Sequence, residues 1–441
     1  MIQGSRSLPR IERTGRAPWL IAALVVLALT VRVGVVVATP GFVPATDAAD
    51  YDRHAVSIAA GQGYPPTLIA GAGGPTAFRP PAFCYGLGAV YAVVGVQDEH
   101  RRWTAARLLE AALGAVTVGL TAVLALALWG ALPAVVAAAM AAVYPPFLLM
   151  GSSLTSETLF LPLLVASLLT MLRYRQSRML RWALASGALA GLAALTRSNG
   201  LALLLPLALA AWTTWPPSSR RALAAAAATI AAGIVVIAPW TIRNAVVLDA
   251  FVPVSTQAGY GLAGQYSDSS RDDPLHPSLW RPPGVYAPYR SIIEDPRLGE
   301  VAVERRLRSK SRQFIRAHPE YVVQTGFRNG QRLLGLRDLD VERLAARDYD
   351  MPPALSKAST YSFYLIAVLA LIGLAPPSAR RIPLFVWLTP AVMVLTTVFI
   401  AANTRYRIPA DPFIVSVAAL GLLQLLSPLT RRLRRRPPRM L

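Results

Sequence analysis

Long apolar stretches separated by short polar breaks run along most of the 441-residue chain. Ten of them, about 15 to 22 residues each, approach the roughly 20 residues a helix needs to cross a bilayer. They lie at 18–39, 107–129, 132–150, 158–172, 180–196, 200–215, 222–240, 358–375, 382–402 and 411–427. Lipid offers the backbone no hydrogen-bonding solvent, so such stretches are predicted to be helices. An eleventh run, 82–96, is shorter, contains Gly86, Gly88 and Gly95, and follows Pro80-Pro81. The long segment 241–357 is too polar to face lipid and is expected to pack as a small amphipathic domain over the bundle. Within it, 298–316 and 320–336 read as helices divided by His318-Pro319. The expected fold is an all-α polytopic membrane protein of about ten spans.

Composition agrees: 54% of residues are hydrophobic and mean hydropathy is +0.44. Charge decides the sidedness. There are 44 Lys+Arg against 23 Asp+Glu. In a soluble chain that excess would suggest nucleic acid; here it reads as cytoplasmic flanking charge, and no nucleic-acid partner is expected. If 82–96 does not cross, the breaks at 1–17, 129–132, 173–181, 216–221, 376–381 and 428–441 share one side and carry 18 Arg, with Glu12 as their only acid. If it crosses, 14 of those Arg move to the other side. The bias rule favours the first arrangement, with 82–96 lying on the outer surface and both termini cytoplasmic in a plasma (inner) membrane. Trp19 to Ala38, after Arg6, Arg10, Arg13 and Arg16, exceeds the usual ~7–15-residue signal core and reads as an uncleaved first span. The single cysteine, Cys84, excludes an intrachain disulfide.

This topology places 40–106, 151–157, 241–357 and 403–410 on the outer face. Asp47, in Thr46-Asp47-Ala48-Ala49-Asp50-Tyr51, and Glu157, in Thr155-Ser156-Glu157, then share one compartment. A carboxylate at a low-dielectric rim suits general-base work on an acceptor. Alternatively, Asp47, Asp50 and Asp52 are a solvated exit loop, and Glu157 is an acid in the first turn of a helix opened by Ser153 or Ser156. Arg79, Arg107, Arg197, Arg243, Arg405 and Arg407 all fall near outer helix ends, where the bias rule disfavours them. Each alone could snorkel. Together they call for an anion, and guanidinium forks suit phosphate oxygens. The glycine-rich stretch 255–264 lacks a phosphate-loop lysine and reads as an active-site loop or connector. The four histidines show no metal-ligand spacing.

The ordered set Asp47-x-x-Asp50-Tyr51, Gly61-x-Gly63-Tyr64, Phe78-Arg79-Pro80-Pro81, Ala106-Arg107-Leu108, Tyr144-Pro145-Pro146 through Ser156-Glu157, Leu195 to Gly200, Pro239-Trp240-Thr241-x-Arg243-Asn244 and Arg405-Tyr406-Arg407-x-Pro409 resembles the GT-C glycosyltransferases. The likeness is to bacterial members akin to protein O-mannosyltransferases and lipid A aminoarabinose transferase. It implies transfer of a sugar from a polyprenyl-phosphate donor to a protein, lipid or glycan acceptor on the outer face, usually with inversion. By position, Asp47 matches the catalytic acid of the first outer loop and Glu157 the second acidic position. Arg79 matches a basic residue that contacts the carrier phosphate, and Arg107 an arginine opening the second span. Asp50, Tyr51, Arg197, Arg243, Arg405, Tyr406 and Arg407 are expected to bind substrate or phosphate. Two places depart from the family: Ala48 follows Asp47, and Phe78 stands where a metal-binding relative has Glu. No cofactor is predicted, and a divalent metal is left open. The expected division is a core over 1–240 with its catalytic loop at 40–106, an outer unit over 241–357, and final spans with a basic tail over 358–441. The competing readings are a flippase or transporter of a lipid-linked substrate, a scaffold that lost catalysis, and a ligase using a diphosphate-linked glycan.

Overall fold

The computed structural model describes residues 15–216, 218–341, 352–375 and 382–434, with side chains up to Ser427. Arg6, Arg10 and Arg13, the 376–381 break and the side chains of the 428–441 tail lie outside the described residues.

The first half runs α1 (Ala17–Ala38), α2 (Thr46–Ala59), α3 (Pro81–Val94), α4 (Glu99–Trp129), α5 (Ala131–Val143), α6 (Pro145–Met150), α7 (Glu157–Ser177), α8 (Leu180–Thr196), α9 (Leu204–Trp212) and α10 (Arg220–Leu248). A polar region follows, with α11 (Gln257–Gln265), α12 (Asp268–Arg271), α13 (Ala287–Ile293), α14 (Glu300–Ala317) and α15 (Pro319–Leu333). The chain returns to apolar helices in α16 (Pro353–Gly373), α17 (Leu384–Val398) and α18 (Asp411–Arg434), the last preceded by a 3₁₀ turn at Thr404–Ala410. No strand occurs among the described residues.

Six segments are long and apolar enough to cross a membrane: α1, α4, α7, α10, α16 and Thr404–Ser427. α3, α5, α8, Ser198–Trp212 and α17 are apolar but shorter. All ten expected stretches are helical, and by length and composition six of them qualify as spans. α3 has 14 residues, about 21 Å of helix, against the ~30 Å thickness of a hydrocarbon core.

The boundaries follow chemistry that hydropathy does not see. α4 starts eight residues before the expected 107, because Asp98 caps it by accepting the Arg101 N–H at 3.0 Å. Arg107 therefore lies inside the helix and does not open it. α10 likewise continues to Leu248, so Arg243 also sits within a helix. The expected 132–150 span breaks at Tyr144 because Pro145 and Pro146 cannot continue the hydrogen-bond ladder. The 255–264 stretch, expected as a loop, is mostly the helix α11. Its Gly259 is needed where the backbone meets that of Glu304 on α14.

Small residues bring the apolar helices together, as lipid gives no hydrophobic drive for their association. A side chain at Gly187 or Gly191 of α8 would collide with the backbone of Thr229 or Gly233 on α10. Gly373 of α16 and Gly421 of α18 approach each other's helices in the same way. One core cluster joins α1 to α5, α16 and α18, and a second joins α7 to α9 with α17. A separate small core holds Tyr289, Ile292, Leu298, Val303 and Leu307 of the polar region. The glycine contacts and the first core bring the loop before α3, the start of α7, the end of α8 and the Thr404 turn to one end of the bundle.

Candidate active site

α2 begins with Thr46 in the left-handed region (φ 48°), unusual for a β-branched residue. That turn sets Asp47 in the first helical turn, while Ala48, Tyr51, Asp52 and Ala55 face inward. Arg79, just before the Pro80-Pro81 start of α3, lies against this helix. Its Nη2 donates to Asp47 Oδ1 at 2.8 Å and its Nε to Asp50 Oδ2 at 2.6 Å. The guanidinium is sandwiched between the rings of Tyr51 (4.9 Å) and Phe78 (5.2 Å).

Arg405, on the Thr404–Ala410 turn, closes the other side. Its Nη1 donates to Asp47 Oδ2 at 3.0 Å. Its Nε and Nη2 grip Glu157 Oε1 and Oε2 at 2.5 and 2.9 Å, the two-pronged geometry a guanidinium favours with carboxylate. Arg197, past the end of α8, reaches Glu157 Oε1 at 2.7 Å and Ser156 Oγ at 3.1 Å. Tyr51 donates to the same Ser156 Oγ at 3.1 Å. Ser156 makes no side-chain cap on α7; its hydroxyl belongs to the cluster instead.

Acids and arginines thus alternate: Asp50, Arg79, Asp47, Arg405, Glu157, Arg197. Side-chain exposure separates their roles. Asp47 is 38% exposed, against 1% for Glu157 and 9% for Arg405. Asp47 can meet a reactant. Glu157 is enclosed, with both oxygens engaged, and can only orient Arg405 and Arg197. Burial pushes the Asp47 carboxyl up, but Arg79 and then Arg405 outweigh it and hold it well below the ordinary carboxylate range. Asp50 is also held below that range, by His54 and Arg79 against the opposing effect of burial. For Arg79, burial disfavours the charge, but Asp47, Tyr51 and Asp50 more than restore it and raise its pKa well above the usual value.

Not all expected site residues join this row. Arg107 is buried and points elsewhere. It donates to Ser152 O at 2.8 Å, to Thr39 O at 2.9 Å and to Thr39 Oγ1, and lies 4.5 Å over Phe42. It clamps the end of α1 to the turn before Glu157. Arg407 pairs with Asp411 at 3.1 Å and donates to Leu333 O at 3.0 Å. Tyr406 lies beneath Arg197, 5.8 Å away. Arg243 donates to Thr76 O at 2.7 Å and lies over Trp240 (4.8 Å) and Tyr64 (5.4 Å). Among the described residues it has no carboxylate within ion-pair distance. Asp52 leaves the cluster altogether, held by Tyr91, Arg102 and Trp103 at 2.7 to 3.2 Å.

Two further acids support the row: Glu110, which the sequence sets one helical turn from Arg107 without giving it a role, and Glu300, which the sequence does not single out. Glu110 accepts from Leu154 N (2.9 Å), Thr155 N (2.7 Å) and Thr158 Oγ1 (3.1 Å). It holds Leu154 in the left-handed region (φ 52°), and so fixes the turn that delivers Glu157. Glu300 gathers Thr67 Oγ1 (2.5 Å), Thr76 Oγ1, Ala77 N (2.8 Å) and Thr256 Oγ1 (2.7 Å). It ties the polar region to the loop that carries Arg79. Neither had a signal beyond being an acid near a helix start.

Among the described residues, no group of three or more His, Cys, Asp or Glu is gathered as for a metal ion. Between Asp47 and Glu157, where a bridging cation would lie, the chain supplies the Arg405 guanidinium. The donor set does not fit a metal at this point.

Residues 78–242 match the family described as dolichyl-phosphate-mannose-protein mannosyltransferase. That segment includes Arg79, Arg107, Glu157 and Arg197 but neither Asp47 nor Arg405. No curated protein matches the chain by sequence. In fold, the chain is similar to the archaeal oligosaccharyltransferase AglB from Archaeoglobus fulgidus, solved with an inhibitory peptide and a dolichol-phosphate. The TM-score is 0.56 at 13% identity, over 97% of this chain and 53% of that one. The apo form of the Archaeoglobus fulgidus oligosaccharyltransferase gives 0.55 at 13% identity, over 94% and 52%. Its complex with Zn and sulfate gives 0.54 at 13% identity, over 93% and 50%. The chain therefore spans about half the length of these solved relatives. At this identity the likeness is one of fold: the chain shares the fold of these oligosaccharyltransferases, and its segment 78–242 is similar to the mannosyltransferase family.

Proposed function

We propose that the chain is a membrane glycosyltransferase that moves a sugar from a polyprenyl-phosphate donor to a protein, lipid or glycan acceptor. The observation that carries this reading is Asp47: the one well-exposed carboxylate of the row, held at both oxygens by guanidinium groups. The acceptor O–H or N–H gives its proton to Asp47 as its heteroatom bonds to the anomeric carbon. The bond from that carbon to the phosphate oxygen breaks, and the electron pair leaves with the polyprenyl phosphate. Arg79 and Arg405 are placed to shift from Asp47 toward the charge growing on that oxygen. As they shift, Asp47 loses the charges that depress its pKa and becomes a stronger base when the proton is released. Arg243, which among the described residues has no carboxylate within ion-pair distance, is a further cation for the phosphate. Inversion follows from a single displacement.

The charge distribution supports an outer-face site with both termini cytoplasmic. The packing supports the division into 1–240, 241–357 and 358–441, with the small core of the polar region as the middle unit. The comparisons lend the flippase and ligase alternatives no support. The test is complementation of a deletion strain, with envelope glycans and polyprenyl-phosphate sugar profiled together. The wild-type gene restores one glycan and clears one accumulated lipid-linked sugar. Asp47→Asn inserts and folds but restores neither. Full restoration by Asp47→Asn would remove it as the base.

A further inference from the structure

The outward face of α15 has the wrong polarity for water. Tyr321, Thr325, Asn329 and Arg332 are buried. Asn329 Nδ2 donates to Gln265 Oε1 at 3.2 Å and to Val398 O at 2.9 Å. Arg332 Nε donates to Asp338 at 2.6 Å. The opposite face and the turn that follows it carry Val323, Phe327, Leu334 and Leu336, at 73%, 69%, 45% and 64% exposure. Positions 323, 327 and 334 fall in one stripe at helical spacing. A helix in water turns its apolar stripe inward; this one buries Thr325, Asn329 and Arg332 and leaves Val323, Phe327 and Leu334 outward, with the polar Glu320 and Gln324 exposed in its first turns.

Its neighbours say what those surroundings are. Gly326 lies against the ring of Phe399, immediately after the apolar helix α17. Tyr364 of α16 donates to Gly335 O, which fixes the far end of α15 beside α16. On α16, Tyr361 and Leu365 are each 62% exposed, and on α17 Leu395 is 59% exposed. Exposed apolar side chains of α16 and α17 thus neighbour those of α15, with Lys357 at the start of α16 and Gln324 on α15 as the exposed polar residues among them. We infer that α15 lies in the bilayer surface, with Val323, Phe327 and Leu334 in the acyl chains of the leaflet next to the carboxylate row. Its main chain also accepts from Arg407, at Leu333 O, two residues from Arg405. A helix immersed in lipid is therefore bonded to the turn that holds both catalytic-site carboxylates, and it fixes the depth of that turn.

The test uses the full chain in phosphatidylcholine liposomes. In a Cys84→Ala background, Val323→Cys, Phe327→Cys and, as a reference, Arg312→Cys on the exposed side of α14 are labelled with bimane. Each is quenched separately by a lipid carrying a nitroxide high on its acyl chain and by aqueous iodide. At 323 and 327, lipid quenching is expected to exceed that at 312 by about threefold or more, with iodide quenching reduced to about a third. Iodide quenching equal to that at 312 would overturn the inference, because α15 would then face water. Shielding from both quenchers would also overturn it, because protein would then cover the stripe. The readout needs no transfer activity, so its failure is separable from failure of the proposed reaction.

Discussion

Two carboxylates on α2, five residues apart, meet the same kinds of partner and end in different states. Asp52 takes bonds from Arg102, Tyr91 and Trp103, and its side chain is 11% exposed. Asp47 takes two guanidinium groups and is 38% exposed. At Asp52, ring N–H, phenol and guanidinium fill the acceptor sites, and the bonds join α2 to α3 and α4. At Asp47, only arginines are bound, and arginines can be drawn away by another anion. The sequence places both acids in one cluster. On the proposed reading, what separates a brace from a reactive group is whether its partners have somewhere else to go.

The largest expected effect breaks the pair most directly. Asp47→Asn should lower transfer by about a hundredfold or more, the usual scale for loss of a positioned base, with a loss of thermal stability smaller than that of Asp52→Asn because Asp47 is the more exposed of the two. Asp52→Asn should do the reverse: it leaves the buried Arg102 with only the exposed Glu99, 3.1 Å away, as charge partner and costs about 2 kcal/mol. Thermal unfolding and a glycan-transfer assay on the same two detergent-solubilised variants would separate them. If both variants lose activity and stability in proportion, the distinction between the acids fails.

Next is Arg405→Lys. The charge stays, but an ammonium cannot hold Glu157 with two parallel bonds while also reaching Asp47. Transfer should fall by roughly tenfold to a hundredfold, with Glu157→Gln producing a similar loss. Because the two residues act as one unit, the double variant should lose little more than either alone. Losses that multiply would show that Glu157 acts on the substrate independently.

A smaller effect concerns pH. The Asp47 carboxyl is held below the ordinary range by Arg79 and Arg405. The stability this lends is present above the unfolded value near 3.9 and fades only as pH falls through the lower folded value. Wild-type transfer should therefore show no acid limb from Asp47 between about pH 5 and 8. In Arg79→Gln one of the depressing charges is gone, so the residual activity should acquire an acid limb at higher pH. Superimposable normalised profiles would mean that Arg79 does not set the ionisation of Asp47.

Much of this row was legible because charge beside an apolar stretch is conspicuous. Asp47, Arg79, Glu157, Arg197 and Arg405 sit at helix ends where lipid-facing composition gives way, and the fold gathers them. Arg107 and Arg407 share that signature, yet they brace the backbone or a carboxylate outside the row, Asp411. A sequence shows that a guanidinium is present but not which oxygen it meets. Glu110 and Glu300 were silent for the opposite reason: their partners are backbone N–H groups and threonine hydroxyls, which no charge pattern reveals. Helix starts slipped where a cap decided them. Asp98 begins α4 well before hydropathy rises, which turned Arg107 from a helix opener into a mid-helix clamp.

The smallest effect tests whether a brace can tune the reactive acid from a distance. Glu300 joins α14 to the loop at Thr67–Ala77, two residues before Arg79. Glu300→Gln keeps the shape but weakens the charge-assisted bonds and turns an amide N–H₂ toward two of the donors, either Thr67 and Thr76 or Ala77 N and Thr256. The loop should loosen, and Arg79 should spend less time against Asp47 and the donor phosphate. The expected result is a rise of about threefold in KM for the lipid-linked sugar with kcat nearly kept, since ground-state and transition-state contacts weaken alike. If Glu300 served stability alone, thermal unfolding would shift while both constants stayed fixed. If kcat fell and KM did not, the loop would be acting on the chemical step, and Asp47 and Arg79 would be coupled more tightly to the polar region than the Asp52 brace is to its neighbours.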